Sequence, residues 1–418
     1  MSEVKKKIGI IVQRYGAMVN GGAETHARMI AEKLAVKYDV TVLTSRALDY
    51  HSWVPELPEG ESFENDIRII RFDHPPKGSR KLLHLFNRKI RGRHLKQKLF
   101  RLLGEPKWFS FLFPQVKVTE KDYLNWLELQ GPAMKGLPEY LIANKQAYSA
   151  FIFMTYLYYP TAIGVQCVPE KSILIPTMHD EPPAYFEVFQ KVMSAPAWIF
   201  FNTKAEQDFS ELLFNIESNN KAIVAVGIDA VEEHLDVTVK NKFGINKPYI
   251  VYVGRIDLAK GCDELLHYFQ KLINENKIDI ELVLVGKNMM EDKTYPSTIF
   301  TGFVTEEEKQ QLMKQAAALI IPSKYESLSL VLLESFACKV PVIANGECQV
   351  LKDHIELSKG GWVYNCYDDF KKICSTILTD SEDIEIKRKL GFEYVTKNYT
   401  WEKVMSKFDD AIEDIENN

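Results

Sequence analysis

Short apolar runs alternate with amphipathic helical stretches along this chain, and the series occurs twice. In the first half the strand-like runs are Ile8–Val12, Val40–Thr44, Ile67–Phe72, Phe151–Thr155, Ser172–Pro176, Trp198–Phe201 and Ile223–Val226. Helical patterns lie between several of them, clearest over Ala23–Val36. A second series begins at Tyr249, with strands at Ile250–Val253, Ile280–Val285, Ala318–Ile321 and Val340–Ala344. Helices around Asp263–Ile273, Glu306–Ala316 and Leu328–Ala337 separate these strands. Such alternation demands parallel sheets with helices on both faces. The 418 residues suffice for two domains, each burying its own core. The expected class is α/β, with two Rossmann-like domains. The first covers residues 1–226, a polar stretch at 227–247 reads as a hinge, and the second covers 248–398. A last helix around Trp401–Ile415 lies within 399–418.

Ligands of open α/β sheets bind beyond the carboxyl ends of the strands. Facing domains would bring those ends together across a cleft and shield two-substrate chemistry from water. A net charge of −5 gives no support for nucleic acid as a partner. The six cysteines (Cys167, Cys262, Cys338, Cys348, Cys366, Cys374) show neither a C-x-x-C pair nor His-flanked ligand spacing, so scattered core thiols in a reducing cytosol are expected. Lys5-Lys-Lys7 precedes only the short run Ile8–Val12, which suits a first strand better than a secretory signal. Gln146–Pro169 carries no charged side chain and has the length of a membrane span. Pro160, its tyrosines and its division into a strand-like and a helix-like piece argue against a span.

The stretch Ser323-Lys-Tyr-Glu-Ser-Leu-Ser-Leu-Val-Leu-Leu-Glu334 carries most chemistry. Leu328, Leu330–Leu333, Phe336 and Ala337 read as a buried helix with Glu326 at its start. A helical rise of about 1.5 Å per residue puts Glu326 and Glu334 roughly 12 Å apart. Two carboxylates so placed hold the two ends of an elongated polar ligand, and a helix start favours anions. A sugar, a diphosphate and a ribose in line would fit. Val253-Gly-Arg255 ends a strand and leads to Lys260-Gly261. Gly21-Gly-Ala-Glu24 follows the first strand, and Gly302-Phe-Val304 precedes an amphipathic helix and then Ile321-Pro-Ser323.

Taken in chain order, these motifs resemble those of the retaining glycosyltransferases of the GT-B fold, family 4, also called glycosyltransferase group 1. The resemblance spans most of the chain and is densest from Tyr249 to Pro341. It implies that Glu334 binds ribose hydroxyls and that Glu326 lies at the donor sugar. It implies backbone contacts at Ser327, Leu328, Ser329 and Leu330, and donor contacts around Gly254 and Val304. Where the family commonly has Gly-Phe-Gly after the first Glu, this chain has Ser327-Leu328-Ser329, which adds bulk and hydroxyls at the donor sugar. It implies that the last helix crosses back onto the N-terminal domain. His179, in Thr177-Met-His-Asp180, matches a family histidine near donor and acceptor, with a hydrogen-bonding role. Gly21 and Gly22 leave room for a phosphate or acceptor.

Leaving-group charge must be stabilised in such a transfer. No D-x-D stands at a strand end, so Arg255 and Lys260 are expected to supply two positive charges without a metal or other cofactor. The implied catalytic set is Arg255, Lys260, Glu326 and His179. The plainer readings are an Arg–Lys surface ion-pair network, a helix-start charge at Glu326 and a Glu334–Lys pair.

Between about 77 and 135 the first domain carries an insertion. Lys77–Lys107 holds eleven Lys or Arg and one acid, Glu105, interleaved with Leu, Ile and Phe, and Trp108-Phe-Ser-Phe-Leu-Phe113 follows. This is either a solvated helical face or a basic surface for anionic lipid. The expected function is metal-independent, retaining sugar transfer from a nucleoside diphosphate sugar (UDP or GDP) to a glycan or lipid-linked acceptor in surface polysaccharide or glycolipid synthesis. The expected location is cytoplasmic, with peripheral contact at the membrane face. The alternatives are a nucleotide-sugar 2-epimerase of the same fold and a catalytically silent binding protein.

Overall fold

In the computed structural model, residues 5–19, 21–79, 81–90, 118–216, 220–229, 231, 234, 236, 238–276, 278–291 and 293–418 are described. The chain forms two compact units, Met1–Ala225 with Met405–Asn418, and Val226–Val404.

The first unit holds an eight-stranded sheet: β1 (Lys7–Ile11), β2 (Asp39–Ser45), β3 (Gly60–Glu64), β4 (Ile67–Phe72), β5 (Ala150–Met154), β6 (Ser172–Ile175), β7 (Trp198–Phe201) and β8 (Lys221–Ile223). The order is β3-β4-β2-β1-β5-β6-β7-β8. All neighbours are parallel except β3 and β4. All five residues of β5 are buried, as a strand covered by helices on both faces requires. The alternation did not announce β3, because Gly-Glu-Ser-Phe-Glu offers one apolar side chain, Phe63, and that is exposed. The last strand is Lys221–Ile223 rather than the expected Ile223–Val226. Ala225 takes a left-handed φ of 55°, which breaks the extended run.

The second unit has six parallel strands: β9 (Tyr249–Val253), β10 (Glu281–Val285), β11 (Thr298–Gly302), β12 (Ala318–Ile321), β13 (Val342–Asn345) and β14 (Gly361–Tyr364), in the order β11-β10-β9-β12-β13-β14. Ile250, Leu282, Ile320 and Ile343 pack from the sheet against Leu265, Phe269 and Leu272 of the helix Cys262–Asn276. Each such aliphatic side chain contributes about 1.5–3 kcal/mol on burial. The edge strands β11 and β14 are the ones the apolar pattern missed.

The final helix runs Trp401–Asn417, and its residues from Met405 on pack within the first unit. Phe408 meets Phe200 edge-on at 5.0 Å, and Trp198 Nε1 donates to Asp414 Oδ2 at 2.9 Å. Of the basic stretch, residues 80 and 91–107 lie outside the described residues, as does Trp108–Phe113. Residues 81–90 are helical. Ile90, Leu83 and Phe86 pack on the core of the first unit, Lys89 pairs with Asp122 at 2.7 Å, and Leu82 and Leu85 are exposed. Among the described residues no helix is long and apolar enough to cross a membrane; Gln146–Pro169 divides into β5 and the helix Tyr159–Gly164.

Candidate active site

The strand order of the second unit reverses between β9 and β12, which are neighbours although far apart in sequence. An open sheet offers its binding crevice at that switch point. The loop after β9 carries Gly254, Arg255 and Lys260. Its shape follows from local chemistry. Tyr252 donates its hydroxyl to the Arg255 carbonyl at 2.6 Å. Asp257 Oδ1 accepts from the Lys260 amide at 2.9 Å and closes a short 3-10 turn, Leu258–Lys260. Gly261 then takes a left-handed φ of 74°, and a Cβ there would lie 2.5 Å from the Pro322 carbonyl oxygen. Only glycine lets this loop approach the one after β12 so closely.

That approach sets Lys260 Nζ 2.7 Å from Glu326 Oε1 and links the two loops. Arg255, 38% exposed, has Nη2 3.7 Å from Asp257 Oδ2. Gly254 lies at φ 147°, and the β10 end crowds it: a Cβ on Gly286 would stand 2.0 Å from the Gly254 carbonyl oxygen. Beside them a cavity of about 460 Å³ is lined by Gly286, Asn288, Lys293, Thr294 and Phe300–Gly302. Val304 follows it, half-buried.

Glu326 does not sit at the helix start. The helix runs Leu330–Ala337 with Ser329 as its N-cap in the left-handed region, φ 64° and ψ 72°. Residues 326–329 are therefore a loop, and helical rise does not set the distance between the two glutamates. The Leu328 side chain is buried at 4% exposure, so only its backbone can face a ligand. Leu330 and Val331 head the helix, where amide N–H groups have no intrahelical acceptor.

Glu334 lies within the helix and accepts from Lys309 Nζ at 3.0 Å. Burial pushes its carboxyl above the ordinary value and Lys309 pulls it back. Burial works against the Lys309 ammonium, but Glu334 and Glu306 outweigh it and raise its pKa. Lys309 is aimed by the helix Glu306–Lys314, whose capping box joins Thr305 and Glu308. Nothing in the local sequence near Glu334 signals this lysine.

In the first unit the helix Gly22–Ala35 starts after the Gly21-Gly22 pair. A Cβ on Gly21 would meet Glu24 Oε2 at 2.2 Å, whereas nothing lies within 4 Å of one on Gly22. Gly21 thus makes room for the carboxylate of Glu24. Glu24 Oε1 takes hydrogen bonds from Arg14 Nε at 2.9 Å and Nη2 at 2.6 Å, and both side chains are buried. Arg14 also donates to the Leu48 carbonyl at 2.7 Å. The motif reading included Glu24 but missed its partner Arg14.

His179 follows β6, half-buried, with Nδ1 3.9 Å from Glu181 Oε1. Its loop is anchored by buried Glu206, which accepts from the Met178 amide at 2.5 Å and the Asn202 amide at 2.6 Å. Burial pushes the Glu206 carboxyl up to about 8, against the pull of these amides. A carboxyl raised in the folded state stabilises below its unfolded value and loses that contribution as pH climbs. Wild-type stability measured by urea unfolding therefore falls relative to Glu206→Gln between about pH 5 and pH 8. A constant difference across that range contradicts the assignment. Among the described residues no three His, Cys, Asp or Glu stand together as a metal-ligand set.

The family model for glycosyl transferases group 1 matches residues 237–391. An uncharacterized glycosyltransferase of Methanocaldococcus jannaschii is 26% identical over 172 residues, 36% of this chain and 43% of that protein. The chain spans less than half the length of the curated relatives it matches first. Among solved structures, sucrose-phosphate synthase of Thermosynechococcus elongatus superposes with TM-score 0.69 at 15% identity, over 98% of this chain and 99% of that one. The Anabaena protein HepE, solved with UDP and glucose, gives 0.67 at 14% identity, over 98% and 100%. At such identities the likeness is one of fold.

Proposed function

We infer that this chain, a GT-B protein with a group 1 glycosyl transferase domain over residues 237–391, moves a sugar from a nucleoside diphosphate donor to an acceptor alcohol. The observation that carries this reading is the strand-end constellation of the second unit. Lys260 and Glu326 bridge the loops after β9 and β12, and Arg255 stands on the same loop as Lys260. A diphosphate bound there meets two cations and the amides heading the helix Leu330–Ala337, all placed before charge develops on the leaving group. Glu334, held by Lys309, is the acceptor for ribose hydroxyls. Glu326 holds the sugar end.

The structures solved with UDP and with UDP-glucose support a nucleotide-sugar donor, with UDP or GDP the proposed nucleotide. Retention of configuration belongs to the same proposal, as does independence from a metal, because Arg255 and Lys260 supply the charge a cation would. In the first unit, the room beside Gly22 suits an acceptor or a phosphate, and His179 carries the proposed hydrogen-bonding role. A thermal-shift panel of uridine, guanosine and adenosine diphosphate sugars tests the donor. One base should raise the melting temperature well above the others, and no shift with any of them would count against the site.

The acceptor we propose is a glycan or lipid-linked sugar reached from the cytoplasmic membrane face. Eleven basic residues in Lys77–Lys107 support it, as do Leu82 and Leu85, exposed on the helical residues 81–90 beside exposed Lys81 and Arg88. Each basic group near an anionic bilayer contributes about 1 kcal/mol, screened by salt. The chain should sediment with anionic vesicles at low salt and leave them at high salt. Changing Arg88, Arg91, Arg93 and Lys96 to Glu should abolish sedimentation while turnover of a short water-soluble acceptor survives. A wild type that ignores such vesicles points to a soluble acceptor.

A further inference from the structure

The loop 326–329 passes through a strained residue just before the helix. Ser329 is left-handed, a region that disfavours a residue with a Cβ, and its buried Oγ has no hydrogen-bond partner among the described residues. Besides the Lys260–Glu326 bridge, an anchor for the loop comes from a different part of the unit. His354, in the helix Gln349–Ser358, sets Nε2 3.0 Å from the Leu328 carbonyl oxygen. Its Nδ1 lies 3.1 Å from the Tyr394 hydroxyl, which lies 3.1 Å from the Tyr399 hydroxyl.

The acceptor fixes the direction of every bond. A carbonyl can only accept, so His354 donates through Nε2–H, and Nδ1 accepts from Tyr394. The Tyr394 oxygen in turn accepts from Tyr399. His354 is 3% exposed, and burial lowers its pKa to about 4, so the ring stays neutral and keeps this tautomer. The three rings pack together, His354 with Tyr394 at 6.0 Å and Tyr394 with Tyr399 at 5.5 Å, and Tyr394 stands edge-on to Phe336 of the helix that follows the loop.

We propose that His354 is a positioning residue for the donor loop, acting with Tyr394 and Tyr399 as a buried hydrogen-bond relay that clamps the Leu328 carbonyl. The clamp orients the peptide entering Ser329, and with it the sugar-side loop that carries Glu326. This rests on the reading that the loop receives the sugar end of the donor. Glu334 and the ribose end sit further along the helix and do not depend on the relay.

The test uses His354→Leu, the milder Tyr394→Phe, and His354→Leu combined with Ser329→Gly. Hydrogen exchange followed by mass spectrometry, without ligand, should show amides 327–331 exchanging about tenfold faster in His354→Leu, with the rest of the unit unchanged. Affinities for UDP-glucose and GDP-mannose, set against UDP and GDP, give the second readout. Nucleotide-sugar affinity and turnover should fall about tenfold while nucleoside diphosphate affinity moves less than about twofold. Ser329→Gly should restore part of the loss, because glycine holds the left-handed turn unaided. Should His354→Leu fail to fold, Tyr394→Phe carries the same comparison. Unchanged exchange at 327–331, or equal loss of affinity for nucleotide and nucleotide sugar, overturns the relay. If the wild type binds no nucleotide sugar at all, the functional reading fails, and the exchange result still decides whether His354 clamps the loop.

Discussion

Arg255→Ala and Lys260→Ala each lower turnover by about 10²–10³-fold, the loss seen when one preorganised charge-stabilising group is removed from an active site. Both residues are partly exposed, at 38% and 30% of their side chains, so the melting temperature should barely move. Arg255→Lys keeps the charge but loses the planar fork and should recover only part of the rate. Lys260→Ala has a second consequence, since it leaves Glu326 without its 2.7 Å partner. Repulsion between that carboxylate and the diphosphate should then raise the donor KM as well. Steady-state kinetics on the two alanine variants, with EDTA present throughout, checks both points. Full activity in either variant removes that residue from the mechanism.

Glu334→Gln weakens nucleoside diphosphate binding by about 10–100-fold, the equivalent of one charge-assisted hydrogen bond of about 1.5–3 kcal/mol. Lys309→Met tests the same carboxylate from the other side. Burial already raises the Glu334 carboxyl, and Lys309 opposes that rise. Without the lysine the carboxyl rises further, so protonation competes more strongly with its role as an acceptor. Lys309→Met should therefore bind nucleotide more weakly than the wild type, with a deficit that shrinks as pH rises. Calorimetric titration at several pH values measures this. An affinity unchanged by Glu334→Gln would take the ribose contact away from this helix.

The parallel strands were legible because they are buried on both faces, so β5 or β12 reads as an unbroken apolar run. Edge strands were not. β3 pairs antiparallel at the rim with alternate residues exposed, and Phe63 is its single apolar residue. The loop motifs were found because glycine and proline mark close approaches, as where Gly261 meets Pro322. The start of the helix after Glu326 was misplaced because Leu328 continues the apolar pattern, yet Ser329 turns left-handed before the helix begins. Side chains that act across the fold left no trace in the local pattern. Lys309 reaches Glu334 over 25 positions, and His354 reaches Leu328 over 26. Such pairs come together only when separate helices pack on one sheet.

Following nucleoside diphosphate release from UDP- and GDP-sugars, in EDTA, with and without a glycan or lipid-linked acceptor, tests the central claim most directly. The account predicts release that requires the acceptor, continues undiminished in EDTA and disappears in Arg255→Ala. Conversion of the nucleotide sugar without any acceptor, restoration by magnesium or manganese of a rate lost in EDTA, or no release from any donor–acceptor pair would contradict it.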